Sequence, residues 1–540
     1  MSSLVRASAL MGAGTIASRI LGFVKAIVLA QALGVVASAG ADSFAVANQL
    51  PNNLYAIVAG GVIGATLVPA IARSAAHHDR GSAYISKLMT VVLTGLVAST
   101  LIATLLAPVL IRIYASHWSD NQLALATAFA YWCLPQIFFY GLYTLVSEVL
   151  HGRSIFGPPT WAPIANNVIS ITGLGIFIAL FGADSAGVRN VTDWSPGMVA
   201  LLGGTATAGI AAQAVILFVF WRKVGIRFRF DFNWRGVGLR ETGKIAGWTI
   251  GMILATQVAG LIETNVSAIA SGEDASVFAF QTAWLGFMLP HSIIAVSLAT
   301  AYFTRIAQHA ADQNLHGVHS DTSDAIRRIG VLILWASAGM IAISVPFSRL
   351  FTNSFPDATI LAIILVVLLI GLPAFSSIHV LLRVFFALGD GRTPFLITLG
   401  HAIVVSGIVI GCAFLPPSLI VIAVCLTLSV VGTGQALAAA YLVRKRLGVS
   451  INRAVVRALA TGVVAALVAI GAGLGMTALL GGFVDGGFAV SGMLPAIVSM
   501  VAIGLVVTAV FIANLRLVRS TELTEAVAVL RRARRRNQAE

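Results

Sequence analysis

Fourteen stretches of this 540-residue chain are apolar for long enough to cross a bilayer, and that removes most folds from consideration. They fall at roughly 8–34, 42–72, 88–116, 124–150, 161–181, 199–221, 243–270 and 277–304. Six more follow at roughly 328–351, 358–387, 394–415, 418–442, 455–480 and 489–514. In hydrocarbon every backbone N–H and C=O must be satisfied inside the protein, so segments of this length are helices. Hydrophobic residues make up 58% of the chain and charged ones only 10%, where a soluble domain carries about 25% charge. The expected class is an all-α integral membrane protein.

The net charge of +14 has two readings. Nucleic-acid binding needs a basic soluble surface, and no separate domain exists to carry one. The positive-inside rule gives the other. With both termini cytoplasmic, 28 of the 34 Lys/Arg fall on the cytoplasmic side, in the loops around Arg80, Arg229 and Lys445 and in the tail Arg531–Arg536. The opposite loops hold Arg189 but also Asp120, Asp184, Asp193, Glu273, Asp274, Asp357 and Asp485. A helix count wrong by one would smear that asymmetry. The basic loops either orient insertion or attract anionic lipid. Cys133, Cys412 and Cys425 lie in apolar segments without metal-ligand spacing and read as packing residues. Arg19 and Lys25 interrupt the first apolar stretch, which argues against a cleaved signal peptide.

An internal repeat organises the chain. ADSFAVANQLP…GATLVPAIAR at 41–73 matches ASVFAFQTAWL…LATAYFTRIAQ at 275–308, and EVLHGRSIFGPPT at 148–160 matches RVFFALGDGRTPF at 383–395, at offsets of 234 and 235. Six helices separate the copies, so both share one orientation, as in transporters built from parallel repeats. The expected domains are an N-lobe at 1–222, a C-lobe at 223–446, two further helices at 447–514 and a basic cytoplasmic tail at 515–540.

Ionisable groups inside the spans are few. A charge near the membrane centre costs at least ~2.5–3.5 kcal/mol, so each is a functional candidate. Arg19 and Lys25 are six residues apart on the first helix, about 120° and about 9 Å, and can line one cavity wall. That suggests an anionic ligand. Asp42 begins the second helix, either as a cap or as a counter-charge over the cavity. Asn48, Gln49, Asn52 and Asn53 form a polar face around Pro51, which can kink the span. Asn166 and Asn167 repeat this style, with interhelical hydrogen bonding as the simpler role. Glu148 and Arg383 are repeat mates near helix ends, suited to gating ion pairs or to snorkelling. Glu263 lies deep in the seventh helix and is the candidate for a coupling cation or proton. His291, His379 and His401 read as packing or hydrogen-bonded residues.

No Walker loop, HExxH, GxSxG or carboxylate cluster with a nucleophile is present, so a transporter is expected rather than an enzyme. No cofactor is expected. Membrane-potential or ion coupling stays open, with the ion unassigned.

SRILGFVK, ADSFAVANQLPN and VPAIAR closely resemble the opening of the MurJ/MviN family, the lipid II flippases of the MOP exporter superfamily. HGRSIFGPPTWAPIANN and RVFFALGDGRTPF resemble that family's fourth-to-fifth and tenth-to-eleventh helix junctions. The resemblance covers about residues 1–515. It implies a MATE-like fold of two six-helix lobes around a central cavity, with helices 13 and 14 forming a groove for a lipid tail. It places the family's first-helix cations on Arg19 and Lys25 and its second-helix acid on Asp42, holding the diphosphate and sugar of an undecaprenyl-linked peptidoglycan precursor as it crosses to the outer leaflet. The chain departs from the pattern where a basic residue after LPN falls on Tyr55 or Ala56, a nearby acid on Gly60 and a helix-8 Arg near Leu285. The implied setting is a bacterial plasma membrane, with membrane lipids and cell-wall synthesis or division proteins as further partners. A small-molecule or multidrug exporter of the same fold, another lipid-linked oligosaccharide exporter and a non-transporting cell-wall scaffold are the alternatives. Arg19 and Lys25 argue against the drug exporter, which favours an acidic first lobe.

Overall fold

The computed structural model of the chain describes residues 3–58, 82–153, 155–224, 228–232, 239–449 and 452–520. Regular structure among them is helical throughout, and 13 helices are long and apolar enough to cross a membrane. These match thirteen of the fourteen expected spans. The remaining one, 42–72, starts as a helix and runs on into residues outside the described set, as do Gly60, Arg73, Arg80 and the tail arginines.

Contacts divide the chain into two units, Met1–Phe278 and Ala279–Glu540. The first holds α1 (Ser3–Leu33), α2 (Ala39–Val58), α3 (Ser82–Leu105), α4 (Ala107–Tyr114), α5 (Asp120–Cys133), α6 (Gln136–Gly152), α7 (Gly157–Phe181), α8 (Pro196–Val215) and α9 (Leu239–Ser267). Starts are set by local chemistry: the Ser119 and Ser195 hydroxyls accept the Gln122 and Met198 N–H groups, and Pro196 occupies a first-turn position whose N–H would have no partner. Without a hydrophobic drive between helices in lipid, close packing needs small residues. On α1, Gly14, Ser18 and Gly22 recur every fourth residue against α7. A Cβ on Gly14 would sit 2.7 Å from the Trp161 indole nitrogen, and Asn167 Nδ2 donates to Ser18 O at 2.9 Å. A core of Leu88, Val92, Leu96, Leu145 and Val149 joins α3 to α6. Arg189 closes α7, donating to Phe181 O at 3.0 Å while lying 5.4 Å from the Trp194 ring, where a cation complements the helix C-terminus. Gly34, at φ +77°, lets the α1–α2 link approach the backbone of Gly187.

The repeat and the packing set different boundaries. The repeat puts α9 at the head of the second lobe, whereas its polar bonds run to α2 and α4, so it packs in the first unit.

The second unit continues α10 (Val277–Pro290), a π-helical turn His291–Ala295, α11 (Val296–Ala311), α12 (Leu315–Ala342), α13 (Ser344–Ser348), α14 (Phe355–Ala387), α15 (Arg392–Cys412), α16 (Pro417–Leu447), α17 (Arg453–Leu479) and α18 (Met493–Leu517). Gly371 admits Ser429, whose hydroxyl donates to Val367 O at 2.7 Å and ties α16 to α14. The two helices beyond the repeat dock on α12. Ala458, Ala465 and Ala469 of α17 and Ile503 and Val507 of α18 bury against Leu334, Ala338 and Ala342, and Thr477 Oγ1 donates to Ala342 O at 2.8 Å. Their other faces expose Val464, Leu467, Val501 and Leu505, the surface a bilayer covers.

Candidate substrate-binding site

Helix periodicity places Lys25 about 20° from Ser18, on the side of α1 that carries the seam with α7, and Arg19 about 100° away. Arg19 is exposed and Lys25 half-buried. Lys25 makes no ion pair or hydrogen bond among the described residues. An ammonium within a membrane span and without a carboxylate calls for water or an anionic ligand, because lipid satisfies neither its charge nor its three donors.

Asp42 is 2% exposed, and both its oxygens are occupied. Ser271 Oγ donates to Oδ2 at 2.6 Å and the Phe278 N–H to Oδ1 at 2.9 Å. The Asp42 N–H itself donates to Ser38 O at 3.0 Å. The carboxylate thus binds the start of α2 to the segment after α9.

The amides of α2 divide between structure and cavity. Asn48 Oδ1 accepts from Gln136 Nε2 at 3.1 Å, and the same donor lies 3.1 Å from Thr207 Oγ1. Asn53 Nδ2 donates to the Tyr114 hydroxyl at 3.3 Å while its backbone oxygen accepts from Gln257 Nε2. Gln49 Nε2 reaches Thr264 Oγ1 at 3.4 Å. Asn52 is exposed and makes no hydrogen bond among the described residues. The helix runs unbroken through buried Pro51.

Glu263 of α9 is half-buried, and helix periodicity sets it more than about 90° away from the anchors Gln257, Thr264 and Asn265, the last of which donates to Ile113 O at 2.9 Å. It too has no hydrogen bond or ion pair among the described residues. In the first unit, then, Lys25, Asn52 and Glu263 remain available to a ligand, while Asp42, Asn48 and Asn53 hold helices together. Glu148 is half-buried on α6, one turn past Thr144, which accepts from the Tyr55 hydroxyl at 2.6 Å. Tyr55, standing at an expected basic position, is a hydrogen-bonded aromatic stacked 5.7 Å from Tyr140.

In the second unit, Arg383 donates to Thr300 Oγ1 at 3.2 Å and lies 5.5 Å from the Phe303 ring. His291 Nδ1 meets Ser376 Oγ at 3.0 Å and its ring is 5.4 Å from that of His379, one helical turn before Arg383. Sequence reasoning named both histidines as packing or hydrogen-bonded residues, but it missed the Gln136, Tyr114 and Thr207 partners. The one signal for Gln136 was its place directly after Pro135 inside an apolar span.

A family described as lipid II flippase MurJ matches residues 29–515. The match begins after Arg19 and Lys25. A probable lipid II flippase MurJ from Rhizobium meliloti (strain 1021) is 26% identical over 404 residues, 73% of this chain and 72% of that protein. The lipid II flippase MurJ of Burkholderia cenocepacia is 25% identical over 410 residues, 74% and 77% of the two chains. Among solved structures, a lipid II flippase MurJ in an inward closed conformation aligns with TM-score 0.70 at 19% identity, over 94% of this chain and 99% of that one. An inward-facing multidrug resistance MATE family transporter of the MOP superfamily aligns at 0.61 and 18%, over 80% and 94%. At these identities the structures establish a MATE-like fold, and activity is argued from residues.

Proposed function

We propose that this chain, which belongs to the lipid II flippase MurJ family, moves an undecaprenyl-diphosphate-linked peptidoglycan precursor from the inner to the outer leaflet of a bacterial plasma membrane. One observation carries the substrate class: Lys25 is a half-buried intramembrane cation with no protein partner among the described residues. A diphosphate satisfies it as a point charge, and Arg19 adds a guanidinium on the same helix. Asn52 supplies a donor and an acceptor for a sugar. Asp42 acts by fixing the entrance of α2 rather than by touching the ligand. Glu263, equally unpartnered, is the group we assign to a coupling cation or proton. Both termini face the cytoplasm in this reading, which rests on the Lys/Arg asymmetry.

The test is accessibility of the undecaprenyl-linked precursor at the outer face in cells depleted of the protein and complemented with variants. Wild type restores accessibility, and Lys25→Gln with Arg19→Gln lowers it at least tenfold at equal membrane abundance. Unchanged accessibility on depletion overturns transport and favours a scaffold. Full activity of the double variant removes the site assignment.

A further inference from the structure

We propose that the start of α17, the end of α18 and the middle of α12 form a binding pocket for the phosphate group of an anionic phospholipid. The pocket lies wholly in the second unit and is independent of the transport reading.

A cavity of about 380 Å³ is lined by Arg327 in the middle of α12, Arg453 and Arg457 in the first two turns of α17, and Arg519 just past α18. Arg327 pairs with Asp324, Nη2 to Oδ1 at 3.4 Å. The other three arginines form no ion pair among the described residues. Three guanidiniums with no carboxylate partner among the described residues repel each other around one concavity, and an anion relieves that repulsion. Their planar forks match phosphate oxygens, which accept paired N–H donors.

The position of Arg519 is a second, independent observation. It follows a helix C-terminus with φ +54°, a conformation in which glycine is the low-cost residue. Its N–H donates to Arg516 O at 3.0 Å and the next N–H, of Ser520, to Leu515 O at 2.9 Å. The chain therefore holds a long cation in left-handed backbone at the rim of a cationic cavity, a strain of the kind that collects at ligand clamps. Asn452 Oδ1 already takes the Ala454 N–H at 3.0 Å, so the side chains rather than the end of α17 supply the attraction.

Depth selects the source of the phosphate. The cavity sits at the start of α17 and the end of α18, both long enough to span a bilayer, and beside the point where α12 passes from the polar stretch 315–328 to its apolar half, which is headgroup level. Beside it Val456 and Leu517 are exposed at 53% and 81%, an apolar surface suited to an acyl chain and useless to a soluble anion.

Native mass spectrometry of the delipidated full-length protein, titrated with phosphatidylglycerol or phosphatidylcholine, tests the assignment. Phosphatidylglycerol is expected to bind at least tenfold more tightly. At about 1 kcal/mol per arginine near a membrane surface, Arg453→Gln with Arg457→Gln weakens it about thirty-fold. Arg519→Gln alone gives the same direction with a smaller loss should the double variant fail to fold. Equal binding of the two lipids, or unchanged phosphatidylglycerol binding in both variants, overturns the proposal. Displacement of the lipid by an equal concentration of inorganic phosphate or pyrophosphate also overturns it, by assigning the pocket to a soluble anion. No precursor is present in this measurement, so its failure leaves the flippase reading untouched.

Discussion

Asp42 accepts hydrogen bonds on both carboxylate oxygens, so its loss should be felt first in folding. Removing the side chain leaves the Ser271 hydroxyl and the buried Phe278 N–H without an acceptor, at about 1–3 kcal/mol. Asp42→Ala should therefore lower the thermal stability of the detergent-solubilised protein. Asn keeps an oxygen for Phe278 and an amide that can donate to Ser271, so Asp42→Asn should stay close to wild type in both stability and flipping. Lost flipping in a stable Asp42→Asn protein would return this charge to the substrate site. Lys25 was legible from sequence because a charge inside a long apolar run is costly wherever the chain folds. The partners of Asp42 were not, because Ser271 and Phe278 lie 229 and 236 residues away. The same holds for the arginine pocket. Read along the chain, Arg327, Arg453 and Arg519 belong to three separate basic loops, and only folding gathers them.

The existence and order of the helix spans were readable, since hydrocarbon thickness and backbone satisfaction leave one solution per apolar segment. Their ends were not always, because the span expected at 328–351 is Leu315–Ala342, begun by a polar stretch that hydropathy does not count. Which face packs was harder, because a span apolar all round has little periodicity; small residues provide the remaining signal. Gly473 and Gly475 of α17 differ sharply in this respect. A Cβ at 473 would lie 2.5 Å from Ala342 Cβ and 2.6 Å from Val507 Cγ2, whereas nothing lies within 4 Å of one at 475. Gly473→Leu should destabilise by about 1–3 kcal/mol or more through overpacking, read as a lower melting temperature. Gly475→Ala should be neutral or stabilising by up to about 1 kcal/mol. Helix caps add a pH dependence. Asp390 starts α15 by accepting from Thr393 N at 3.0 Å and Thr393 Oγ1 at 2.7 Å. Partial burial alone would raise its pKa, but the hydrogen bonds from Thr393 and Arg392, with the Arg446 charge, hold it below the ordinary 3.8. A depressed folded value means that the contribution is complete above about pH 4 and is lost as pH falls through the folded pKa. Asp390→Ala should lower stability by about 1 kcal/mol at neutral pH. That gap should narrow in melting curves taken toward pH 3.

For the molecule as a whole, the Lys/Arg asymmetry and the fourteen spans expected from sequence lead us to propose that both termini lie on one side. The three native cysteines are buried, so the wild-type protein should be silent to a membrane-impermeant maleimide. Asp485→Cys should label in intact cells, and Lys445→Cys only after permeabilisation. Labelling of Lys445→Cys in intact cells would invert the topology. The docking of α17 and α18 on α12 also has a consequence in time. The bond from Thr477 to Ala342 spans 135 residues, so at ribosomal rates of about 5–20 residues per second the small-residue face of α12 enters the membrane on the order of ten seconds before its partners exist. During that interval lipid is its neighbour. The second unit is thus assembled by exchanging lipid for protein along one helix, and a stop codon placed before residue 453 should yield an inserted chain that degrades quickly.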